Sequence, residues 1–520
     1  MVKVVIGNVD SRIVGYLPPE VHKSLDRQLS FWVPGAIHTK AYKDKRWDGK
    51  HHLYKKTHGQ SFMSGLISLV TKVLKYHKIQ YQLLDARKRP EPNRLNLSFH
   101  PPEGFEERGY QTIAREQSIK KGRGIIKIAT GGGKTMVVST IIGDLKTVPF
   151  NFYVTTKDLL EQAHEVLSET LKIPIGKVGG GEFDIKDVNV CMVQTAVKSV
   201  YMDKAFNIKD YSFDEEDTFS WKDKDVAGYD NLRRFNHLMK ECKGFFFDEA
   251  HHAASRTIVD ILRNSPNAYY RYGGSATPYR EDNADLILQG SFGQKIIDVN
   301  ASYLIDNGWL AEPSIIFERI EHDCNLNAYQ SIYSECVTRN DEFNAHVSNT
   351  AKYLIENNLS SLILVQHYPQ GDMIKKMIGG DVEFVTGKMS SKKRKKAIKD
   401  LKEKRKLAMI ATTLADEGLD IPTLDAALLA GGGASASRVN QRIGRTLRID
   451  RKSSYPRDKS VVVCYDHDVK YLKDHAKKTR KILMEEPRFK ILESNGGDFI
   501  KNEISSIFKL GTPSSIFDML

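Results

Sequence analysis

At 520 residues the chain is long enough for about three domains with their own cores. A hydrophobic fraction of 40% and a charged fraction of 28% exclude a disordered or fibrous chain, and a formal net charge of +13 points to a polyanionic partner. Five scattered cysteines without C-x-x-C spacing argue against a disulfide framework or a structural zinc, and no stretch approaches the ~20 apolar residues of a membrane span.

Residues 1–95 read as a small α+β unit. Short β-like runs at 2–6, 52–54 and 81–84 flank a helical pattern of Leu66, Leu69, Val70, Val73 and Leu74. The first run lacks the layout of a signal peptide, so the expected compartment is the cytoplasm, or a host cytoplasm if the source is viral. Lys43, Lys45, Arg46, Lys50, Lys55 and Lys56 surround Tyr42, Trp47 and Tyr54. Basic residues interleaved with aromatics suit a backbone grip with stacking on an opened base, and Trp47 is the stacking candidate. The plainer reading is a brace, with Trp47, Asp48 and Gly49 in a tight turn. The polar, proline-broken stretch 87–94 reads as a linker.

From 109 to 300, apolar runs at 125–129, 151–154, 188–193, 244–247 and 270–273 alternate with helical segments, which predicts a parallel sheet wrapped by helices. The first run leads into Ala129, Thr130, Gly131, Gly132, Gly133, Lys134 and Thr135, and a helix-permissive stretch follows. Strand, glycine loop, Lys-Thr and helix make a phosphate cradle. The glycines let backbone N–H groups close on an anion, Lys134 reaches the outer phosphates, and the Thr135 hydroxyl suits Mg²⁺. Ile128 stands where the usual pattern begins with glycine.

The run Phe245, Phe246, Phe247 ends in Asp248, Glu249, Ala250 and His251. Acids at the C-terminal end of such a strand sit where open α/β sheets bind ligands, with Asp248 suited to Mg²⁺ and Glu249 to polarising the attacking water. An acidic stretch around Asp214–Asp217, within 203–235, interrupts the pattern before this pair and reads as a solvated loop.

A second alternating block follows, with runs at 362–365, 382–385, 407–410, 426–429 and 461–464. The lysine- and arginine-rich segment 392–406 reads as a helix with Ala397, Ile398 and Leu401 as its apolar stripe; its charges suit either a solvated face or phosphate contact. Arg445 and Arg448, three apart, share one helix face and suit the γ-phosphate. The predicted class is therefore α/β, with two tandem RecA-like parallel-sheet domains at 96–310 and 311–485. A small α+β accessory domain at 1–95 and a tail at 486–520 flank them.

The ordered set of motifs resembles a superfamily 2 helicase. Arg108, Gly109, Tyr110 and Gln111 resemble the adenine-reading Q motif, residues 129–135 motif I, and 155–162 with Gln194 and Thr195 the strand-contacting motifs. Residues 248–251 take a DEAH form of motif II, and Ser275, Ala276, Thr277 and Pro278 resemble motif III. Thr412, Thr413, Glu417, Gly418, Leu419 and Asp420 resemble motif V, and residues 441–448, with Gln441, Arg445 and Arg448, motif VI. Within the superfamily, Arg46, Trp47, Asp48 and Gly49 followed by Ser64, Gly65 and Leu66, together with residues 366–371 and Val385, Thr386 and Gly387, are similar to the phage UvsW-like branch-migration helicases and to XPB- and RecG-type motors.

The resemblance implies ATP-driven movement on DNA, branch migration, fork regression and unwinding of duplexes or RNA–DNA hybrids, with ATP and Mg²⁺ as cofactors; a monomer is the default expectation. It places Tyr110, Gln111, Thr130, Gly131, Gly132, Gly133, Lys134, Thr135, Gly418 and Asp420 around the nucleotide. His251, Gln441, Arg445 and Arg448 join Lys134, Asp248 and Glu249 in catalysis, and Thr135 and Asp248 hold the metal. Trp47, Thr156, Gln194, Thr195, His367, Thr386, Gly387 and Thr412 would meet nucleic acid. The C-terminal residues 514–520, outside the resemblance, read as a segment packed on the motor or frayed, with a partner-binding tail as the alternative. The rivals are an RNA helicase, the motor subunit of a restriction or defence complex, and a non-catalytic nucleic-acid binder with a vestigial ATP site.

Overall fold

The computed structural model describes the chain except residues 203–225, 252–255, 276–284, 381, 413–423, 432–443, 445–458, 495, 497 and 511–520. It divides into two compact units. One comprises Met1–Ile128 and Gly133–Asp298, the other Ala129–Gly132 and Val299–Leu520.

The first unit holds two sheets. The N-terminal sheet runs Tyr54–Lys55, Ser61–Met63, Asp10–Val14, Val2–Ile6, Tyr81–Asp85. Its pairings are antiparallel except for the last, which is parallel. One face buries Val4, Ile13 and Phe62 against Leu66, Val70 and Leu74, in and beside the Ile67–Tyr76 helix, as the helical spacing predicts. Segment 87–94 is pinned rather than loose: the Arg87 guanidinium sits 4.9 Å over the Tyr269 ring, and Asn93 exchanges hydrogen bonds with Val148 at 2.8 Å.

The second sheet runs Glu182–Asp184, Ile175–Gly179, Val188–Met192, Phe150–Val154, Gly244–Phe247, Tyr270–Ser275, Arg123–Ile128, Lys295–Val299. The strands from Ile175–Gly179 across to Arg123–Ile128 pair in parallel. Covered on both faces, they read as continuous apolar runs; Phe245, Phe246 and Phe247 are all fully buried.

The N-terminal sheet is built onto this one. Ile287, from the Asp285–Phe292 helix, belongs to its core, and the Gly65 backbone lies so close that a Cβ there would stand 1.9 Å from the Gln289 carbonyl oxygen. The Arg123 guanidinium is enclosed at this seam and donates to the Phe292, Ser291 and Asn8 carbonyls. Burial beside Arg271 and Arg87 drives its pKa well below the usual arginine value.

The second unit carries a fully parallel sheet: Glu383–Val385, Ala408–Thr412, Ser361–Val365, Ala426–Leu429, Lys459–His467, Glu312–Ile320, Lys490–Ser494. Five of these strands match apolar runs in the sequence. Residues 486–520, set apart above as a tail, need correcting: Lys490–Ser494 is the last strand of this sheet, and the Phe499–Phe508 helix buries Ile500 and Ile504 in its core. Lys490–Ser494 mixes charge with apolar residues because it is an edge strand, which hides the run.

Candidate functional site

The glycine loop follows Arg123–Ile128 and the acidic pair follows Gly244–Phe247, two parallel strands of one sheet with Tyr270–Ser275 between them. After Arg123–Ile128 the chain turns through Ala129, Thr130, Gly131 and Gly132, with the Gly132 amide donating to the Ala129 carbonyl at 3.0 Å. Gly131 and Gly133 have φ of +83° and +78°, a left-handed backbone that suits glycine. Gly133 is the N-cap of the Lys134–Leu145 helix, so Lys134 and Thr135 open that helix and its first amides face the turn.

Lys134 Nζ lies 3.4 Å from Glu249 Oε1 and 3.9 Å from Asp248 Oδ1. Burial works against the lysine's charge, but the two carboxylates raise its pKa above the ordinary value. For Asp248 burial wins: despite Lys134 opposite, its pKa is pushed up to about 6. The Asp248 amide continues the sheet by donating to Tyr153 O at 2.9 Å. Glu249 then takes φ +48°, a strained conformation for a side-chain-bearing residue, with its amide held by Asp248 Oδ1 at 3.0 Å. His251 Nδ1 stands 3.3 Å from Glu249 Oε2 and 3.3 Å from Ser275 Oγ, linking the acidic turn to the end of Tyr270–Ser275.

Gln111 and Tyr110 lie in the first turn of the Gly109–Lys121 helix, both buried. Gln111 Oε1 accepts from the Arg108 amide at 3.0 Å, and Arg108 Nη1 donates to the Tyr110 hydroxyl at 3.1 Å. Gln111 Nε2 stands 2.8 Å from where a Cβ on Gly133 would be, so the Q-motif side chain abuts the glycine loop. Gln441, Arg445, Arg448, Gly418 and Asp420, as well as Thr277 and Pro278, lie outside the described residues.

Two further strand-end clusters gather the predicted nucleic-acid residues. In the first unit Val154 and Met192 are in register, and Gln194 Nε2 donates to Thr155 O at 2.8 Å, so Thr155, Thr156, Gln194 and Thr195 share one edge. Thr156 Oγ1 also caps the Lys157–Leu171 helix, accepting from Leu159 N at 3.3 Å. Gly179, Gly180 and Gly181 complete this edge: Lys157 Nζ donates to Gly180 O at 2.8 Å, and a Cβ on Gly179 would meet Thr195 Oγ1 at 3.0 Å. Sequence reasoning passed over Lys157 as a contact and over this turn altogether, although three consecutive glycines after an apolar run announce it.

In the second unit Val365 pairs with Thr412, and Val385 with Ala411. His367, Thr386, Gly387 and Thr412 therefore lie at one sheet edge. His367 is the N-cap of Tyr368–Ile378 and packs edge-on against Tyr333, with centroids 5.2 Å apart.

Trp47 is placed less openly than expected. Its indole N–H donates to the Lys50 carbonyl at 2.7 Å, Asp48 accepts from the Lys50 amide at 3.1 Å, and Gly49 takes φ +80° against the Trp32 ring. Trp32 is the more open ring of this turn, 48% exposed, with Lys50 Nζ 5.6 Å from its centroid.

Among the described residues no cluster of His, Cys, Asp and Glu has the make-up of a metal site built from protein alone, and no helix is long and apolar enough to cross a membrane. A metal shared with phosphate oxygens needs fewer protein ligands, and a threonine hydroxyl and an aspartate carboxylate are oxygen donors of the kind Mg²⁺ takes.

Residues 104–280 match the family described as "Type III restriction enzyme, res subunit", and residues 346–450 match "Helicase conserved C-terminal domain". The chain is 26% identical over 416 residues to "Putative helicase 22" of Sulfolobus islandicus filamentous virus, covering 74% of this chain and 68% of the relative. It is 24% identical over 419 residues to "DNA 3'-5' translocase XPB2" of Sulfurisphaera tokodaii, covering 72% and 86%. It spans about half the length of two haloarchaeal Rad25 relatives, 50% and 56%. Among solved structures, Dbp5 of S. cerevisiae bound to RNA and ADP BeF3 matches with a TM-score of 0.52 at 16% identity, over 76% of this chain and 92% of that one.

Proposed function

As a superfamily 2 helicase the chain is an ATP hydrolase, and we propose that it uses ATP to move on DNA and to remodel branched DNA such as forks and four-way junctions. The observation that carries the ATP site is the meeting of Lys134 with Asp248 and Glu249 beside a left-handed glycine turn. Gln111 and Tyr110 hold the base end, the loop amides and Lys134 hold the phosphates, and Thr135 and Asp248 hold Mg²⁺. The ion supplies charge neutralisation on the phosphates when bound. Glu249 orients and deprotonates the attacking water. His251 steadies Glu249 and carries the state of that turn to Ser275. Arg445, Arg448 and Gln441 keep the γ-phosphate role that their motif implies.

DNA is favoured as the track because the relatives named for DNA match 66–72% of this chain, whereas the relative named as an RNA helicase matches 28%. Thr156, Thr195, Thr386 and Gly387 suit phosphates rather than bases, since small hydroxyls and backbone amides grip a backbone without reading sequence; the Thr412 hydroxyl is enclosed in the fold. The branched-DNA reading rests on the N-terminal turn, where exposed Trp32 beside Lys50 offers a stacking platform next to a cation. The deciding experiment compares ATPase rates and strand products on single-stranded DNA, linear duplex, a model fork or four-way junction, and duplex RNA. Greatest stimulation and remodelling on the branched substrate supports the proposal. Preference for RNA moves the chain to the RNA-helicase reading and leaves the ATP site as assigned.

A further inference from the structure

The Ser391–Lys402 helix has a charge distribution that its own fold does not use. Ala397 and Leu401 are buried, which fixes the helix on its sheet and turns Lys392, Lys393, Lys395, Lys396 and Lys399 outward as exposed residues. Among the described residues, acidic partners gather at its C-terminal end: Lys399 lies 3.7 Å from Glu403, Arg405 2.7 Å from Asp400, and Lys406 2.7 Å from Glu383. Among the described residues, Lys392, Lys393, Lys395 and Lys396 have no ion-pair partner.

This arrangement lowers the stability of the helix. Lys392 stands three and four residues from Lys395 and Lys396, spacings at which like charges repel across one face. The cations also crowd the end where the helix dipole disfavours them, and the first turn carries no acid. The Leu472–Leu483 helix, with four lysines in the same length, is built differently. It has Asp474 in its first turn, and its Arg480 is paired with Asp466 at 3.1 Å and Glu493 at 2.9 Å.

We propose that the outward face formed by Lys392, Lys393, Lys395 and Lys396 docks the phosphate backbone of nucleic acid beside the strand-end cluster of this sheet. Connectivity supports the placement. Thr386, Gly387 and Lys388 lead from the end of Glu383–Val385 straight into this helix, so its lysine-rich end adjoins the edge that carries His367 and Thr412. The chemistry selects the occupant. The four lysines are point charges with no aromatic or amide neighbour among them to read a base, so the contact is blind to sequence and to DNA against RNA. The inference rests on the reading of the chain as a nucleic-acid motor and adds to it a surface that the helicase motifs do not assign.

The test is the salt dependence of binding to a forked DNA and to a forked RNA. It compares wild type with K392Q/K393Q/K395Q/K396Q, in which glutamine keeps the helix propensity. Each lysine engaged on duplex phosphate contributes about 0.9 to the slope of log K against log salt. The variant is expected to lose a slope of about 2 or more and at least about tenfold in affinity at 0.15 M salt on both substrates. Its melting temperature stays at or rises above the wild-type value, because the repulsion among the lysines is relieved, and its ATPase rate without nucleic acid is unchanged. An unchanged slope beside a steep wild-type one overturns the docking face and leaves the motor reading standing, as it would if an acidic protein were the true occupant. If the folded wild type binds neither substrate, both readings fall.

Discussion

Arg263 holds both carboxylate oxygens of Asp10, with Nη1 to Oδ2 at 2.8 Å and Nη2 to Oδ1 at 2.9 Å. The Arg256–Arg263 helix follows the acidic turn of the ATP site, so this pair ties the N-terminal sheet to an element leading away from the catalytic acids. Both side chains are about a third exposed, and a bidentate pair in that setting is worth about 1 kcal/mol at most. The packing beneath it matters more. A Cβ on Gly65 would stand 1.9 Å from Gln289 O and 2.6 Å from Gly290 O, both backbone atoms. Gly65→Ala is therefore expected to cost about 3 kcal/mol and Arg263→Ala about 1 or less. Thermal unfolding of the two variants checks this; equal losses would show that the ion pair, not the close backbone approach, holds the sheet in place.

Acid should weaken the second unit. His467 ends the Lys459–His467 strand, buried against His322, whose Nε2 lies 2.7 Å from His467 Nδ1, and against the Phe343 ring. Burial, with His322 adding to it, pushes its pKa down to about 3. Burial also lowers the pKa of His322, against the pull of Asp468 and Glu342. A depressed folded pKa means that between about 3 and the ordinary histidine value of about 6.5 the unfolded chain binds more protons. Stability is then full above about 6.5 and is lost as pH falls through that window, at up to about 1.4 kcal/mol per pH unit for His467. Melting at pH 5.5 should show that loss relative to pH 7.5, and His467→Gln should flatten most of the difference. A wild type equally stable at both values would show that His467 does not stay neutral in the fold.

Much of this was legible because parallel sheets buried on both faces write themselves as apolar runs. Phe245, Phe246 and Phe247 mark their strand and, by ending in Asp248 and Glu249, mark the site as well. The glycine loop was equally legible, since left-handed turns draw on few residue types. What escaped lies at edges and in tertiary detail. Lys490–Ser494 carries charge as an edge strand, and its segment read as a tail. The setting of Trp47 was hidden, because whether a tryptophan is offered or enclosed depends on Lys50 O and Gly49 across the turn. The second task of Thr156, capping a helix while facing the strand edge, follows from backbone geometry that no spacing encodes.

On the proposed reading, the glycine loop and the acidic turn should separate nucleotide binding from turnover. Glu249→Gln keeps the shape beside Lys134 but removes the base. Turnover is expected to fall by about 10²–10⁴-fold with nucleotide still bound. Gly133→Ala acts earlier, because it places a Cβ at φ +78° and 2.8 Å from Gln111 Nε2, which strains the loop and pushes the Q-motif side chain. Its loss should appear as weaker nucleotide binding. Equilibrium binding of a fluorescent ATP analogue beside steady-state rates distinguishes them, and a Glu249→Gln enzyme that turns over at wild-type rate would remove Glu249 from the base role.

Thr156 allows its two tasks to be pulled apart by charge. Its hydroxyl accepts from Leu159 N at 3.3 Å and caps the Lys157–Leu171 helix. Thr156→Ala should cost about 1 kcal/mol of stability whatever else the residue does. Thr156→Asp keeps a capping oxygen and adds a charge that the positive end of the helix favours. At a surface that grips phosphates, the same charge repels the ligand. The expected pattern is therefore crossed: Thr156→Ala melts lower and binds DNA modestly less well, whereas Thr156→Asp melts at or above wild type and binds about tenfold or more weakly at low salt, with the gap narrowing as salt screens the repulsion. Thermal melts and DNA titrations at two salt concentrations read both axes. If Thr156→Asp binds DNA as wild type does at low salt, the threonine is a helix cap alone, and the strand-end edge it shares with Gln194 and Thr195 is not where the backbone runs.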